Sequence, residues 1–233
     1  MCGIVGYVGA WNAAPVLLSG LSRLEYRGYD SAGIAVSDLR DGENRIEILK
    51  AKGRLQALKE MTDNGKAVSG TCGIGHTRWA THGEPSVANA HPHCSKDKRI
   101  VVVHNGIIEN YKELKEYLQK KGFVFLSETD TEVVAHLLDY YYKGNPLEAI
   151  ARALGRIRGS YALGILFKDQ PGKIYAVRKD SPLIIGRSEN GNFIASDVPA
   201  ILKYTKNVCY ISDMEIAELT KDTITFYDVD QEV

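Results

Sequence analysis

The opening Met1-Cys2-Gly3-Ile4-Val5-Gly6 constrains this chain more than any other stretch of it. Residues 3–9, Gly-Ile-Val-Gly-Tyr-Val-Gly, read as a buried strand whose glycines let other backbone come close. Such a strand holds the residue before it rigidly, and that residue is a cysteine. Methionine is readily removed ahead of a small residue, which would leave Cys2 with both a thiol and a free α-amine. Unperturbed, that amine titrates at about 7.7–8.0 and the thiol at about 8.5, both close to neutrality. An amine that takes the proton of its own side chain is the arrangement of the N-terminal threonine nucleophiles. The alternative is an ordinary small apolar residue at a frayed end, and the rest of the chain must discriminate.

A length of 233 residues allows one large domain or two small ones, with a substantial core in either case. Lys plus Arg and Asp plus Glu both number 29, so there is no electrostatic case for nucleic acid or an anionic membrane as partner. No apolar run approaches the roughly 18 residues of a bilayer span, and the short, glycine-broken first apolar stretch is no signal peptide. Cys2, Cys72, Cys94 and Cys209 lack the density and pattern of a disulfide framework, which favours a reducing cytoplasm.

Taken in order, Ala13 to Tyr26 sets Val16, Leu17, Leu21 and Leu24 at helical spacing, interrupted by Gly20. Strands follow over Ala32 to Ser37 and Arg45 to Leu49, joined through an Asp41-Gly42 turn, and then a short helix over Arg54 to Met61. Thr71 to Arg78 reads as a strand opening into an irregular stretch, Trp79 to Lys98, rich in His, Gly and Pro. Ile100 to Val103 reads as a strand that ends at His104-Asn105-Gly106. Helices are expected over Tyr111 to Lys121, Thr131 to Tyr142 and Pro146 to Arg156, with Asp130 capping the second. Strands then dominate: Ser160 to Phe167, Lys173 to Val177, Leu183 to Gly186, Phe193 to Ala195, Glu215 to Leu219 and Thr223 to Tyr227. Asn190-Gly191 is a hairpin turn between two of them, and Asp197-Val198-Pro199 starts a short helix. Cys72 and Cys209 sit in strand-like surroundings and read as inert small hydrophobes. Many strands with helices clustered between them imply layered sheets with helices outside. The last residues, through Asp230, carry no stop signal and read as though cut from a longer polypeptide.

Five polar clusters stand at strand ends or in irregular loops, where functional groups are commonly displayed. They are Arg27-Gly28-Tyr29-Asp30-Ser31, Gly75-His76-Thr77-Arg78-Trp79-Ala80-Thr81-His82-Gly83, His91-Pro92-His93, His104-Asn105-Gly106 and Glu128-Thr129-Asp130-Thr131-Glu132. Taken singly, each has a bland reading. Arg78 is a surface charge or salt bridge, Asp130 a helix cap in a partial capping box with Thr129 and Glu132, Asn105-Gly106 a turn, and Trp79 core. His82, His91, His93 and Cys94 could be read as a metal cluster, but their spacing matches no standard zinc pattern.

The order of the five clusters behind a Cys2 opening resembles the class II glutamine amidotransferases of the N-terminal-nucleophile superfamily. The wording of the Arg23–Gly33 and Gly75–Gly83 segments is similar to the glutaminase half of the glucosamine-6-phosphate synthases. The relatives that make phosphoribosylamine have other versions of both. The resemblance covers nearly all of residues 1–233, as one glutaminase domain, while the sugar-phosphate isomerase domains of the full enzymes have no counterpart. It implies an α/β fold, a four-layer αββα sandwich of the N-terminal-nucleophile hydrolase type, with two mostly antiparallel sheets and helices outside. It implies hydrolysis of L-glutamine to glutamate and ammonia through a γ-glutamyl thioester on Cys2, the ammonia serving fructose 6-phosphate in the full enzyme. By the same resemblance Asn105 and Gly106 form the oxyanion hole. Arg78 and Asp130 pair with the α-carboxylate and α-ammonium of glutamine, and Trp79, Thr81 and His82 close over it. His91 belongs to the glutamine site and Arg27 supports the nucleophile. No metal or other cofactor is implied. The partners implied are L-glutamine and the isomerase domain of the same enzyme, within a cytoplasmic homodimer. A catalytically dead binding domain of the same fold would have lost Cys2, Asn105 or Asp130, and none is lost.

Overall fold

In the computed structural model residues 2–229 are described; Met1 and the end from Asp230 onward, on which two of the expectations above bear, lie outside them. The order of elements is β1 (Gly3–Gly9), α1 (Ala13–Ser22), β2 (Ser31–Arg40), β3 (Glu43–Lys52), α2 (Leu55–Met61), β4 (Cys72–Arg78) and β5 (His93–Cys94). There follow β6 (Ile100–Ile108), α3 (Tyr111–Lys120), α4 (Glu132–Tyr141), α5 (Pro146–Leu154), β7 (Gly159–Phe167) and β8 (Ile174–Lys179). Last come β9 (Ile184–Ser188), β10 (Gly191–Ala195), β11 (Val208–Tyr210), β12 (Glu215–Leu219) and β13 (Ile224–Asp228). They form a seven-stranded sheet, β11-β9-β10-β1-β4-β2-β3, and a six-stranded sheet, β13-β12-β8-β7-β6-β5. Neighbouring strands run antiparallel throughout both.

The two-residue period of a strand explains the layers. Along β1, Ile4 and Val8 face the second sheet, where they meet Val101, Val103 and Leu166. Val5 and Tyr7, on the opposite face, pack with Leu17 and Leu21 of α1 and Leu55 and Leu58 of α2. Along β6, Ile100 and Val102 turn away from the first sheet to meet Leu114 of α3, Val134 of α4 and Ile150 of α5. The result is helix, sheet, sheet, helix. Both sheets are covered on both faces, so their central strands read as continuous apolar runs rather than alternating ones. Gly20, which interrupts the apolar face of α1, is buried at the contact with β1: a Cβ there would sit 2.9 Å from Val5 Cγ1.

Several boundaries differ from the sequence reading. The first helix stops at Ser22, and Glu25–Arg27 form a separate 3-10 turn. The strand expected to end before His104-Asn105-Gly106 runs on to Ile108, with Gly106 opposite Tyr161 in the ladder with β7. Asn105-Gly106 is therefore no turn. Two short strands, β5 and β11, went unforeseen, and Cys209 of β11 is exposed rather than buried.

Candidate active site

The antiparallel register gathers one end of the sandwich. Gly3 pairs with Thr77 on one side of β1, so Cys2 projects beside the exit of β4, where Arg78 and Trp79 follow. Ser31 pairs with Arg78, which brings the segment before β2 alongside. From the second sheet, β6 delivers His104, Asn105 and Gly106 to the same end, and Asp130-Thr131 lead into α4 above them. A cavity of about 30 Å³ results, lined by Cys2, Arg78, Trp79, Thr81, His82, His91, His104, Gly106, Thr129, Asp130 and Thr131. Larger grooves, of about 770 and 500 Å³, lie away from Cys2.

At the centre, Cys2 Sγ accepts a hydrogen bond from the Trp79 N–H at 3.2 Å. Burial pushes the thiol pKa up, against the pull of that N–H and of the Arg78 charge. The thiol is thus neutral at rest, and its chemistry requires a base. Asn105 Nδ2 donates to the Cys2 carbonyl at 3.1 Å, which leaves its second N–H unspent beside the sulfur's residue. On its other side Asn105 Oδ1 lies 3.0 Å from His76 Nε2.

Arg78 reaches back over the loop that follows it. Its Nη2 donates to the carbonyls of His82 and Gly83, the second at 2.9 Å, and its Nη1 to the Glu84 carbonyl at 3.3 Å. Three of the five guanidinium donors are thereby engaged. The turn after β4 is also tied from the Arg27–Ser31 segment, since Asp30 Oδ2 accepts from the Ala80 N–H at 2.8 Å. Trp79 is not core; it is 46% exposed and meets Tyr29 edge-on, ring centroids 5.6 Å apart.

Asp130 is not the cap of α4. Thr131 stands at the N-cap without a side-chain bond to the helix N–H groups, and Asp130 Oδ2 accepts instead from the Ile108 N–H of β6 at 2.8 Å. Nor is there a capping box with Thr129. Glu132 turns back on the preceding loop, where it accepts from the Leu126 and Ser127 N–H groups at 2.8 and 2.7 Å and from Ser127 Oγ at 2.6 Å. The oxygen that accepts from Leu126, Oε1, also takes the His136 Nε2 at 3.2 Å, and both Ser127 bonds go to Oε2. Burial opposes ionisation of this carboxyl, yet the bonds from His136, Ser127 and the two backbone N–H groups outweigh it and hold the pKa at about 2. Glu132 therefore fastens the loop that presents Asp130. A folded pKa below the unfolded one contributes stability above the unfolded value, lost as pH falls through the folded one. A Glu132→Gln chain is expected to lose roughly 2–3 kcal/mol at pH 7. The gap in urea midpoint between it and the parent should close as pH drops from about 4.5 towards about 2.

The other expected site residues fall as follows. Thr81 and His82 line the cavity, and the His82 ring meets Tyr111 edge-on. His91 lines it too, but its Nδ1 accepts the His104 N–H at 3.3 Å and its ring stacks on His76 with 3.9 Å between centroids. His93, weighed with it as a metal ligand, meets Thr129 Oγ1 at 3.0 Å instead. Among the described residues no three His, Cys, Asp or Glu gather as a metal-holding group. Arg27 does not line the cavity; it donates to the Ser196 carbonyl at 3.3 Å and lies 3.8 Å from Asp197. Any support it gives is indirect, since Ser196 Oγ in turn accepts the Ile4 N–H at 2.9 Å. Sequence reasoning included His76, Asp30, His104 and Thr131 in its polar clusters but gave none of them a role. The adjacency of His104 to Asn105 was a usable signal; the other three are drawn in by cross-strand and loop contacts.

Residues 76–203, more than half of the chain, match the family described as glutamine amidotransferase domain. The chain is 60% identical over 229 residues to the glutamine–fructose-6-phosphate aminotransferase (isomerizing) of Caldanaerobacter subterraneus subsp. tengcongensis, covering 98% of this chain and 37% of that protein. It is 50% identical over 232 residues to the Aquifex aeolicus protein of the same name, covering 100% of this chain and 38% of that one. The chain thus spans a little over a third of the length of these relatives. Among solved structures it is similar to the glutamine phosphoribosylpyrophosphate amidotransferase of B. subtilis, with a TM-score of 0.84 at 24% identity, covering 100% of this chain and 50% of that one. A second solved structure, described as the allosteric regulatory enzyme of purine biosynthesis, gives the same TM-score of 0.84 at 26% identity. The likeness in fold establishes the αββα sandwich of the N-terminal-nucleophile type. Cys2 heading a central strand, the half-buried Asn105 amide beside it and the matched sequence together place this chain in the glutamine amidotransferase family.

Proposed function

We propose that this chain hydrolyses L-glutamine to L-glutamate and ammonia. In this reading Cys2 Sγ attacks the side-chain amide carbon, the C–N bond breaks, ammonia leaves, and water then cleaves the γ-glutamyl thioester. The Cys2 α-amine, freed by removal of Met1, takes the thiol proton and returns it to the departing nitrogen. The oxyanion formed on the way is held by Asn105 Nδ2 and the Gly106 N–H. Arg78 and Asp130 take the α-carboxylate and α-ammonium. Both charges line the same cavity as the thiol, which suits a zwitterionic amino acid and little else. A cavity of about 30 Å³ holds about one water, so glutamine enters only when the segment bearing Trp79, Thr81 and His82 moves off Cys2. His91 borders the bound substrate and Arg27 steadies the start of β1 from behind.

The observation that carries this reading is the approach of Asn105 Nδ2, from within β6 of the opposite sheet, to 3.1 Å from the Cys2 carbonyl. Glutamine supplied to the chain should yield glutamate and ammonia in equal amounts, and Cys2→Ala should yield neither. Equal release by Cys2→Ala would refute the assignment. We further propose that residues 1–233 form one glutaminase domain of a longer cytoplasmic, homodimeric enzyme. Its isomerase domain would receive the ammonia for fructose 6-phosphate. The isomerizing aminotransferase names of the relatives, and their being more than twice as long as this chain, support the longer enzyme with its isomerase domain.

A further inference from the structure

We propose that His76 is a positioning residue that decides which end of the Asn105 side chain faces Cys2; the inference rests on Asn105 being an oxyanion donor. The two ends of a carboxamide are nearly the same shape and opposite in sign. A flipped Asn105 would turn a carbonyl oxygen towards the developing oxyanion and repel it. Something must therefore hold the amide one way round.

His76 does so through a fixed tautomer. Its Nε2 lies 3.0 Å from Asn105 Oδ1 and 3.0 Å from the His104 carbonyl, two acceptors, so Nε2 carries the hydrogen. Its Nδ1 is buried with no hydrogen-bond partner, which a lone pair tolerates better than an N–H does. Burial lowers the imidazole pKa to about 3, opposed by the bond to Asn105, so the ring stays neutral across the working range. The plane of the ring is set as well. His91 stacks on it at 3.9 Å and 11°, and His91 is itself fixed by the His104 N–H. From the buried middle of one sheet, His76 thus donates to the Oδ1 of an asparagine in the other. With Oδ1 taken, only Nδ2 is left to face Cys2.

His76→Phe keeps a flat ring against His91 and removes the donor, whereas His76→Gln can restore an N–H near the position of Nε2. His76→Phe is expected to lower kcat for glutamine about 10–100-fold with KM within about twofold, and His76→Gln to recover most of it. Alkylation of Cys2 by iodoacetamide forms no oxyanion, and its rate should stay within about twofold of the parent, which a merely structural role would not give. His76→Phe combined with Asn105→Ala should be no slower than Asn105→Ala alone. A His76→Phe chain at the parent rate, or one whose alkylation falls in step with kcat, overturns the proposal. Asn105→Ala at the parent rate would instead remove the reading beneath it. Nitrogen NMR of the unaltered chain tests the tautomer independently of how any variant folds. A protonated Nε2 and a bare Nδ1 down to about pH 5 support the proposal, and a proton on Nδ1 overturns it.

Discussion

An Asn105→Ala chain should release ammonia from glutamine about 10²–10³-fold more slowly than the parent, with the loss in kcat rather than KM. The structure keeps the folding cost of this change small. Asn105 is only half-buried, and the Cys2 carbonyl loses one donor near the cavity. His76 Nε2 keeps the His104 carbonyl at 3.0 Å, so no buried donor is orphaned. Stability within about 1 kcal/mol of the parent is therefore expected alongside the large kinetic loss. Steady-state ammonia release with a urea melt of the same sample separates the two. A rate within a few-fold of the parent would mean that the oxyanion is held by other groups.

The second large effect is expected at Gly106, and there stability and rate should fall together. Its φ of +123° lies where L side chains are strained, and a Cβ would run into the Ser160 carbonyl of β7, with Tyr161 Cα 3.1 Å away. Both obstacles are backbone in a central ladder, so neither can swing aside. Gly106→Ala is expected to cost at least about 1–3 kcal/mol from strain alone. Whatever folds should also be slow, because the strand must shift where, in the proposed mechanism, it supplies an N–H to the oxyanion. A misplacement of about 1 Å can cost about a hundredfold in rate. Denaturant midpoints and single-turnover rates measure the two losses. A Gly106→Ala chain equal to the parent in both would contradict the assigned geometry.

These two neighbours also show what was legible in sequence and what was not. Asn105-Gly106 looks like a turn because glycine after asparagine favours positive φ locally. The structure has that φ, yet the ladder with β7 continues through it to Ile108 opposite Gly159. Whether a kinked residue ends a strand depends on the partner strand, over fifty residues away in the chain. Asp130 illustrates the same limit. Its place before an apolar helix reads as a cap, but the Ile108 N–H of β6 needs an acceptor and Asp130 supplies it. The Asp41-Gly42 turn was readable, because it depends on nearest neighbours alone, and both residues do have positive φ, 52° and 78°. The apolar runs of β1 and β6 were readable since they are buried on both faces. The short strands β5 and β11 were not, for two or three residues carry no period. The gathering of Cys2, Arg78, Asn105 and Asp130 at one end came from the motif order and its resemblance to a family. No single residue in it departs from an ordinary structural part.

The claim at the centre is that Cys2 is the nucleophile and its own amine the base, and one measurement reaches both. Intact mass is taken before and after treatment with an electrophile that mimics glutamine, with ammonia release followed in parallel. The account predicts a chain that begins at Cys2, gains a single adduct mapping to that residue, and loses ammonia release as the adduct forms. A chain that begins at Cys2, takes no adduct and releases no ammonia from glutamine would contradict it.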